Sequence, residues 1–186
     1  MLNLLFAALF FIHLFNFSNG LYKKLIGQRN QNFTQQLGVQ EENPIRLKIP
    51  NINVDATIEY VGLTSKGAME VPSNAVNVGW FDLGPRPGEL GSAVIAGHFD
   101  DKSGKAGVFV DLYKLKKGDK LYVENAKGQS ITFEVQGSRI YDPGYADEVF
   151  TRNDKAHLNL ITCDGVWDGI KKSYSKRLVV FADLIN

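Results

Sequence analysis

The chain has 186 residues, enough for one domain with a sizeable core, and nothing in its length calls for repeats or a second domain. Its 21 basic and 20 acidic residues nearly balance, and no basic block offers the phosphate-backbone footprint of a nucleic-acid binder. One cysteine excludes an intramolecular disulfide, and with only three histidines there is no zinc-ligand spacing, so neither metal nor cofactor is expected.

In chain order, residues 1 to 17 (MLNLLFAALFFIHLFNF) carry no Lys, Arg, Asp or Glu. As a helix they would measure about 25 Å, just short of a roughly 30 Å hydrocarbon layer, which predicts an N-terminal membrane anchor (a transmembrane helix). The competing readings are a cleaved secretion signal and a helix of the domain, and the lack of a small-x-small cleavage pattern after Phe17 favours the anchor. Lys23, Lys24 and Arg29 follow the segment, a bias that taken alone would hold the domain in the cytoplasm. Residues 18 to 43 are polar, rich in Gln and Asn and without sustained period, and read as a stalk.

The folded domain is expected over 44 to 186. IRLKIPNINVDATIEYVG alternates as strands do, and a loop-rich stretch then leads to a short apolar strand, Ala93 to Ala96. Leu121 to Glu124 and Ile131 to Val135 flank NAKG, a hairpin signal. YADEVF reads as one helical turn. HLNLITC and RLVVFADLI are predicted as the last two strands, joined by the span from Asp164 to Ser175. Many short strands, Gly/Pro turns and no long amphipathic helix point to an all-β fold, an antiparallel barrel or sandwich.

The only cysteine, Cys163, is either an inert core residue or a nucleophile. The apolar strand before it and the DG turn signal after it favour a thiol at a strand end, rigid behind and open in front. Such a thiol needs an acid/base partner or a nearby cation. His157 lies six residues upstream on the same predicted strand, about 20 Å away, and reads as a solvated strand-start residue. His98, in AVIAGHFDD, ends another apolar run and is the better partner, its plainer reading being a loop-edge histidine. Among the arginines, Arg177 begins the last predicted strand, sharing a face with Val179 and Phe181; Arg86, Arg139 and Arg152 are loop candidates with weaker claims. A solvated strand-end charge is the alternative for Arg177.

With these residues in view, LNLITCDG resembles the TLxTC signature of sortases, AVIAGHFD the stretch that carries their catalytic histidine, and KRLVVFADL the strand that carries their essential arginine. VGWFDLGPRPGELGSAVIAGH looks most like the class F group and its D and E neighbours. The resemblance implies an eight-stranded closed sortase-like β-barrel with short helical turns, and a cysteine transpeptidase, of the thiol protease kind, on the outer side of the membrane of a Gram-positive bacterium. Its partners would be secreted proteins bearing a C-terminal LPxTG-like sorting signal, cleaved between Thr and Gly, and an amine of a cell-wall precursor or pilin. Cys163 would carry the acyl group, His98 would move the proton, and Arg177 would position substrate and stabilise the oxyanion. Thr162 matches the signature and Asn159 stands where its first Thr is usual, both as substrate-binding or supporting residues. The alternatives are a cysteine peptidase whose thioacyl intermediate goes to water, and a non-catalytic cell-wall-binding β domain.

Overall fold

The computed structural model describes residues 43–144 and 147–185. Eight strands are present: β1 (Pro44–Ile49), β2 (Val54–Val61), β3 (Val78–Phe81), β4 (Gly91–Gly97), β5 (Lys120–Asn125), β6 (Ser130–Tyr141), β7 (Ala156–Asp168) and β8 (Ser173–Ile185). They close into a barrel in the order β1-β2-β3-β4-β7-β8-β6-β5, with no free edge. The eight-stranded barrel matches the expected fold class.

Period-two alternation builds the wall. In β1, Leu47 and Ile49 point inward and Arg46 and Lys48 outward; in β2, Val54, Ala56 and Ile58 are buried between Asp55 and Thr57. The same alternation in β8 sends Leu178, Val180 and Ala182 into the barrel with Leu158 and Leu160 of β7 and Phe133 of β6. Val179 and Phe181 face the other way and join Val94 and Val149 in a second, smaller cluster on the outside. The NAKG hairpin forms as predicted, with Gly128 at φ +76° and its N–H donating to the Asn125 carbonyl.

The helical content among the described residues is slight: α1 (Glu148–Thr151), overlapping the segment predicted as one turn and ending one residue beyond it, and two 3-10 turns at Pro50–Ile52 and Leu112–Lys114. Among the described residues no helix is long and apolar enough to cross a membrane. The expected transmembrane helix is corrected accordingly: none is found among the described residues, and residues 1 to 17, on which the expectation rests, lie outside them.

The wall is not antiparallel throughout. β3 runs parallel to β2, and β7 parallel to β4. A parallel neighbour needs a long crossover: residues 62–77 carry the chain back from β2 to β3, and everything between residues 98 and 155 separates β4 from β7. Parallel strands tend to be covered on both faces, and all seven residues of β4 are buried, with Ala93 and Ile95 in the barrel and Val94 against the outer cluster that includes Val149 of α1.

The last two strands depart from the predicted lengths. DG at 164–165 does not turn the chain. Gly165, at φ +82°, sits in a bulge where the register slips between Asp164 and Trp167, and the ladder resumes at Trp167↔Tyr174. A Cβ on Gly165 would stand 2.4 Å from Ser175 Oγ. The turn comes after Asp168, whose carboxylate accepts the N–H groups of Ile170 and Lys171 at 2.9 and 3.0 Å. Cys163 therefore lies inside β7, and Arg177 inside β8.

His157 also differs from its expectation. It is fully buried, its Nδ1 2.7 Å from Asp183 Oδ1 and its Nε2 2.8 Å from Asp154 Oδ1, while Lys155 Nζ reaches the other Asp183 oxygen at 2.7 Å. Carboxylates on both sides let a buried ring keep its hydrogen bonds, which a sequence position at the start of a strand does not reveal.

Candidate active site

One strand register runs through Cys163 and a second ends two residues before it. On one side β7 is antiparallel to β8 and Cys163 stands directly opposite Arg177, so the two side chains share a face at the close spacing of a cross-strand pair. On the other side β4 is parallel to β7, with Ala96 level with Ile161. The same register carried on aligns Gly97 with Thr162 and His98 with Cys163. Thr162 Oγ1 donates to the Gly97 carbonyl at 2.9 Å, fixing that alignment where β4 ends. Beyond it, only the β7–β8 ribbon continues. Cys163 is thus placed where the barrel wall gives way to a two-stranded extension, with His98 leaving on its other flank.

His98 is held from a third direction. A carbonyl can only accept, so His98 Nε2–H donates to the Pro72 carbonyl at 3.0 Å, leaving Nδ1 as the nitrogen able to take up a proton. Pro72 lies in the 62–77 crossover, which is tied down by Glu59 of β2. The Glu59 carboxylate accepts the Ser73 N–H at 2.8 Å, the Ser73 hydroxyl at 2.9 Å and the Asn77 amide at 2.7 Å. Burial works against that carboxylate, but these donors, with the His98 charge adding to them, hold its carboxyl below the ordinary range. The loop leaving His98 closes on itself. Phe109 N–H donates to the His98 carbonyl, and a Cβ on Gly107 would stand 2.4 Å from that oxygen, so glycine is required for the approach.

Arg177 is braced by its own strand. Nη1 donates to the carbonyls of Tyr174 (3.0 Å) and Lys176 (2.7 Å), and Nη2 to Ser173 Oγ at 3.2 Å. Those bonds hold the guanidinium plane at the start of β8.

Burial pushes the Cys163 thiol up; the Arg177 charge opposes this and the Asp100 carboxylate adds to it. The thiolate is the reactive form, and a raised value makes it a smaller fraction at neutral pH than on an ordinary cysteine. Alkylation of Cys163 by iodoacetamide should therefore be slow near neutrality and still be rising above the thiol's ordinary value of 9.0, as measured by intact mass against time at a series of pH values. A rate that levels off below that value would contradict the burial seen here.

A groove of about 580 Å³ runs over the outer face of β4, β7 and β8 toward this point. Ala96, Ile161 and Val179 form its floor, Leu63 to Val71 of the crossover line one wall, and Pro143, Asp147 and Phe150 line the other, with Arg177 also reaching it. Cys163 follows Ile161 on the same face of β7, one pleat further along. The groove suits an extended chain of mostly apolar side chains whose last carbonyl ends beside the thiol.

The remaining expected residues, Thr162 and Asn159, do not line the groove. Thr162 points inward and is buried, clamping β4 to β7. Asn159 is fully buried under α1, its Nδ2 donating to the Val149 carbonyl at 2.6 Å, while its Oδ1 has no partner among the described residues. Asn159 is not among the residues lining the groove; it holds the turn that carries Phe150. Arg86, Arg139 and Arg152 are engaged elsewhere, with Glu89, Glu148 and Asp154. Pro72, Glu59, Asp100 and Tyr174 were not singled out from sequence. Asp100 stands two residues after His98 in HFDD, a signal that was legible; the contact with Pro72 depends on the path of the crossover and has none. Among the described residues no group of His, Cys, Asp and Glu is arranged to hold a metal ion.

The sequence model of the sortase domain matches residues 47–185. Among solved structures, the chain is similar to sortase C2 of pilus island 1 from Group B Streptococcus, at 28% identity over 80% of this chain and 76% of that one, with a TM-score of 0.60. It is similar to sortase C1 of Streptococcus agalactiae at 26% identity, covering 78% of this chain and 68% of that one, TM-score 0.60. With sortase C-1 of Actinomyces oris it shares the fold at 23% identity, over 85% of this chain and 82% of that one, TM-score 0.60. No curated protein sequence is significantly similar to it. These solved structures are sortases C, which corrects the resemblance to classes F, D and E. That resemblance rested on the loop-dense stretch before His98, and loops vary more among relatives than the strands they join.

Proposed function

The chain belongs to the sortase family, and from that premise we propose that it is a cysteine transpeptidase acting outside the cell on secreted proteins with a C-terminal LPxTG-like sorting signal. Family membership and the likeness to sortases C support a cysteine-transpeptidase type of function in general. The observation that carries the finer reading is the placement of one thiol between two seams, with Arg177 opposite it across the antiparallel pair and, on the parallel side, the Thr162 clamp on Gly97 directly before His98.

In the proposed reaction the sorting peptide lies extended in the groove with its Thr carbonyl at Cys163. The thiolate attacks that carbon, and the Arg177 charge stabilises the oxygen as it becomes negative. The intermediate collapses by breaking the Thr–Gly C–N bond. Protonated His98 gives its Nδ1 proton to the departing amine, leaving a thioester on Cys163 and a neutral imidazole. An incoming amine attacks the thioester, His98 takes its proton, and a new amide leaves while the thiolate returns. The pilus-island sortase C2 among the similar structures supports a pilin amine as one acceptor, with a cell-wall precursor amine as the other.

The test is to incubate the chain with a panel of LPxTG-like peptides and a panel of amines and identify products by mass. Peptide alone should leave an adduct heavier by its N-terminal fragment, and an added amine should convert that adduct to ligated peptide. Free acid alone at saturating concentrations of every amine would replace transferase with peptidase; neither adduct nor cleavage with any peptide would remove the catalytic reading.

A lysine should not serve in place of Arg177. The guanidinium is held in plane by three acceptors at once, and a flexible ammonium offers neither that fork nor a fixed direction. Arg177→Lys should melt within a few degrees of the parent yet lose about 10²-fold or more in kcat/KM, the scale of one oxyanion donor. Near-parental turnover would mean that charge alone is used.

A further inference from the structure

Resting on that reading, and going beyond the three residues it uses, we propose that Asp100 and Tyr174 are a positioning pair, a clasp that fixes the loop leaving His98 against the ribbon that carries Cys163 and Arg177.

The clasp joins elements that the barrel ladder does not connect. β4 stops at Gly97, so His98, Phe99 and Asp100 have no strand neighbour on β7. Tyr174 lies on β8, three residues from Arg177, and its hydroxyl donates to Asp100 Oδ2. Its ring meets Phe99 edge-on with centroids 5.6 Å apart, and Trp167 across the ribbon at 5.3 Å. Its carbonyl accepts Arg177 Nη1 at 3.0 Å. One residue therefore touches the arginine through its main chain, the histidine loop through its hydroxyl, and both aromatic neighbours through its ring. Without it, the only described side-chain hydrogen bond between β4's end and the ribbon is the Thr162 clamp on Gly97.

The clasp also holds a carboxylate where it acts on the thiol. The charged and titratable groups around Cys163 are Arg177 and Lys176 on β8, Asp164 on β7, His98 and Asp100 on the loop, and Tyr174 itself. Lys176 is held by Asp142 at 2.6 Å, away from the loop, and Asp100 is held by Tyr174 of the ribbon itself. The Asp100 carboxylate disfavours the thiolate, and the Tyr174 phenol in turn is pushed up to about 12 by its bond to Asp100 and by burial. The phenol thus remains a donor throughout the working range of pH.

The test needs no substrate. Iodoacetamide alkylation of Cys163 is followed against pH in the parent, Asp100→Asn, Tyr174→Phe and the double variant, with a thermal melt of each. Asp100→Asn should move the alkylation midpoint to lower pH, because a negative charge beside the thiol is removed. In the Tyr174→Phe background the same substitution should move it about twofold less or smaller still, since the carboxylate is no longer held there. An equal shift in both backgrounds, or no shift on Asp100→Asn in the parent, overturns the proposal; the second result stands even if Tyr174→Phe does not fold. With a peptide that the parent turns over, Tyr174→Phe should lower kcat about tenfold at unchanged KM, as expected for a misplaced proton donor. If no peptide is turned over, the transpeptidase reading fails while the alkylation result still decides the clasp.

Discussion

Cys163→Ala should yield no covalent adduct and no ligated or hydrolysed peptide under conditions where the parent gives both, a loss of about 10⁴-fold or more in turnover. The physical case is that nothing else near the site can replace the thiolate. Among the described residues it is the only thiol, and the groove floor beside it is Ala96, Ile161 and Val179. The variant should fold, because Cys163 faces the groove side of β7 and is only partly buried, while the barrel is held by Leu158 and Leu160 on the other face. Melting within a few degrees of the parent, together with retained peptide binding by fluorescence polarisation, would separate lost chemistry from lost structure. Residual cleavage within tenfold of the parent would mean that another nucleophile acts.

The second large effect sets the two described histidines apart. His98→Ala should lower turnover by about 10²- to 10⁴-fold, the usual scale of general acid/base help, with little change in melting temperature. His157→Ala should do the reverse. Removing a fully buried ring opens a cavity and costs one Asp183 oxygen its partner at 2.7 Å, while Lys155 still pairs the other oxygen and Asp154, mostly in water, loses little. Emptying a fully buried ring site costs about 3 kcal/mol, which for a domain of this size lowers the melting temperature by about 6–12 °C. The folded fraction of that variant should retain near-parental specific activity, since β7 runs unbroken from His157 to Cys163. Severe activity loss at both positions without unfolding would require a path between them that the strand does not provide.

The sequence was most readable where chemistry is local. NAKG announces its hairpin because a glycine is needed at one position of a short turn, and the inward faces of β1, β2 and β8 follow from alternation alone. His98 and Cys163 stand out as the better-placed histidine and the one thiol, each at the end of an apolar run. What brings them together was not legible. The parallel pairing of β4 with β7 joins residues 65 positions apart, and no local pattern encodes which strands become neighbours. DG at 164–165 misled for a related reason: a glycine at positive φ serves a bulge as well as a turn, and only the partner strand distinguishes them. His157 misled because its two carboxylates come from different places, one three residues away and the other on β8.

The order of the barrel strands has a consequence for when activity arises. β7 sits between β4 and β8, and both flanking seams require strands that come last in chain order among those described. A growing or translocating chain can complete β1 to β6 while the thiol, the arginine and the histidine are still apart, because closure of widely separated segments follows the local hairpins. In the proposed reaction, then, the three residues are assembled by the same event that closes the barrel. By that reading an incompletely folded molecule carries Cys163 apart from His98 and Arg177, and would be chemically quiet toward passing amide bonds until the last two strands lock in place.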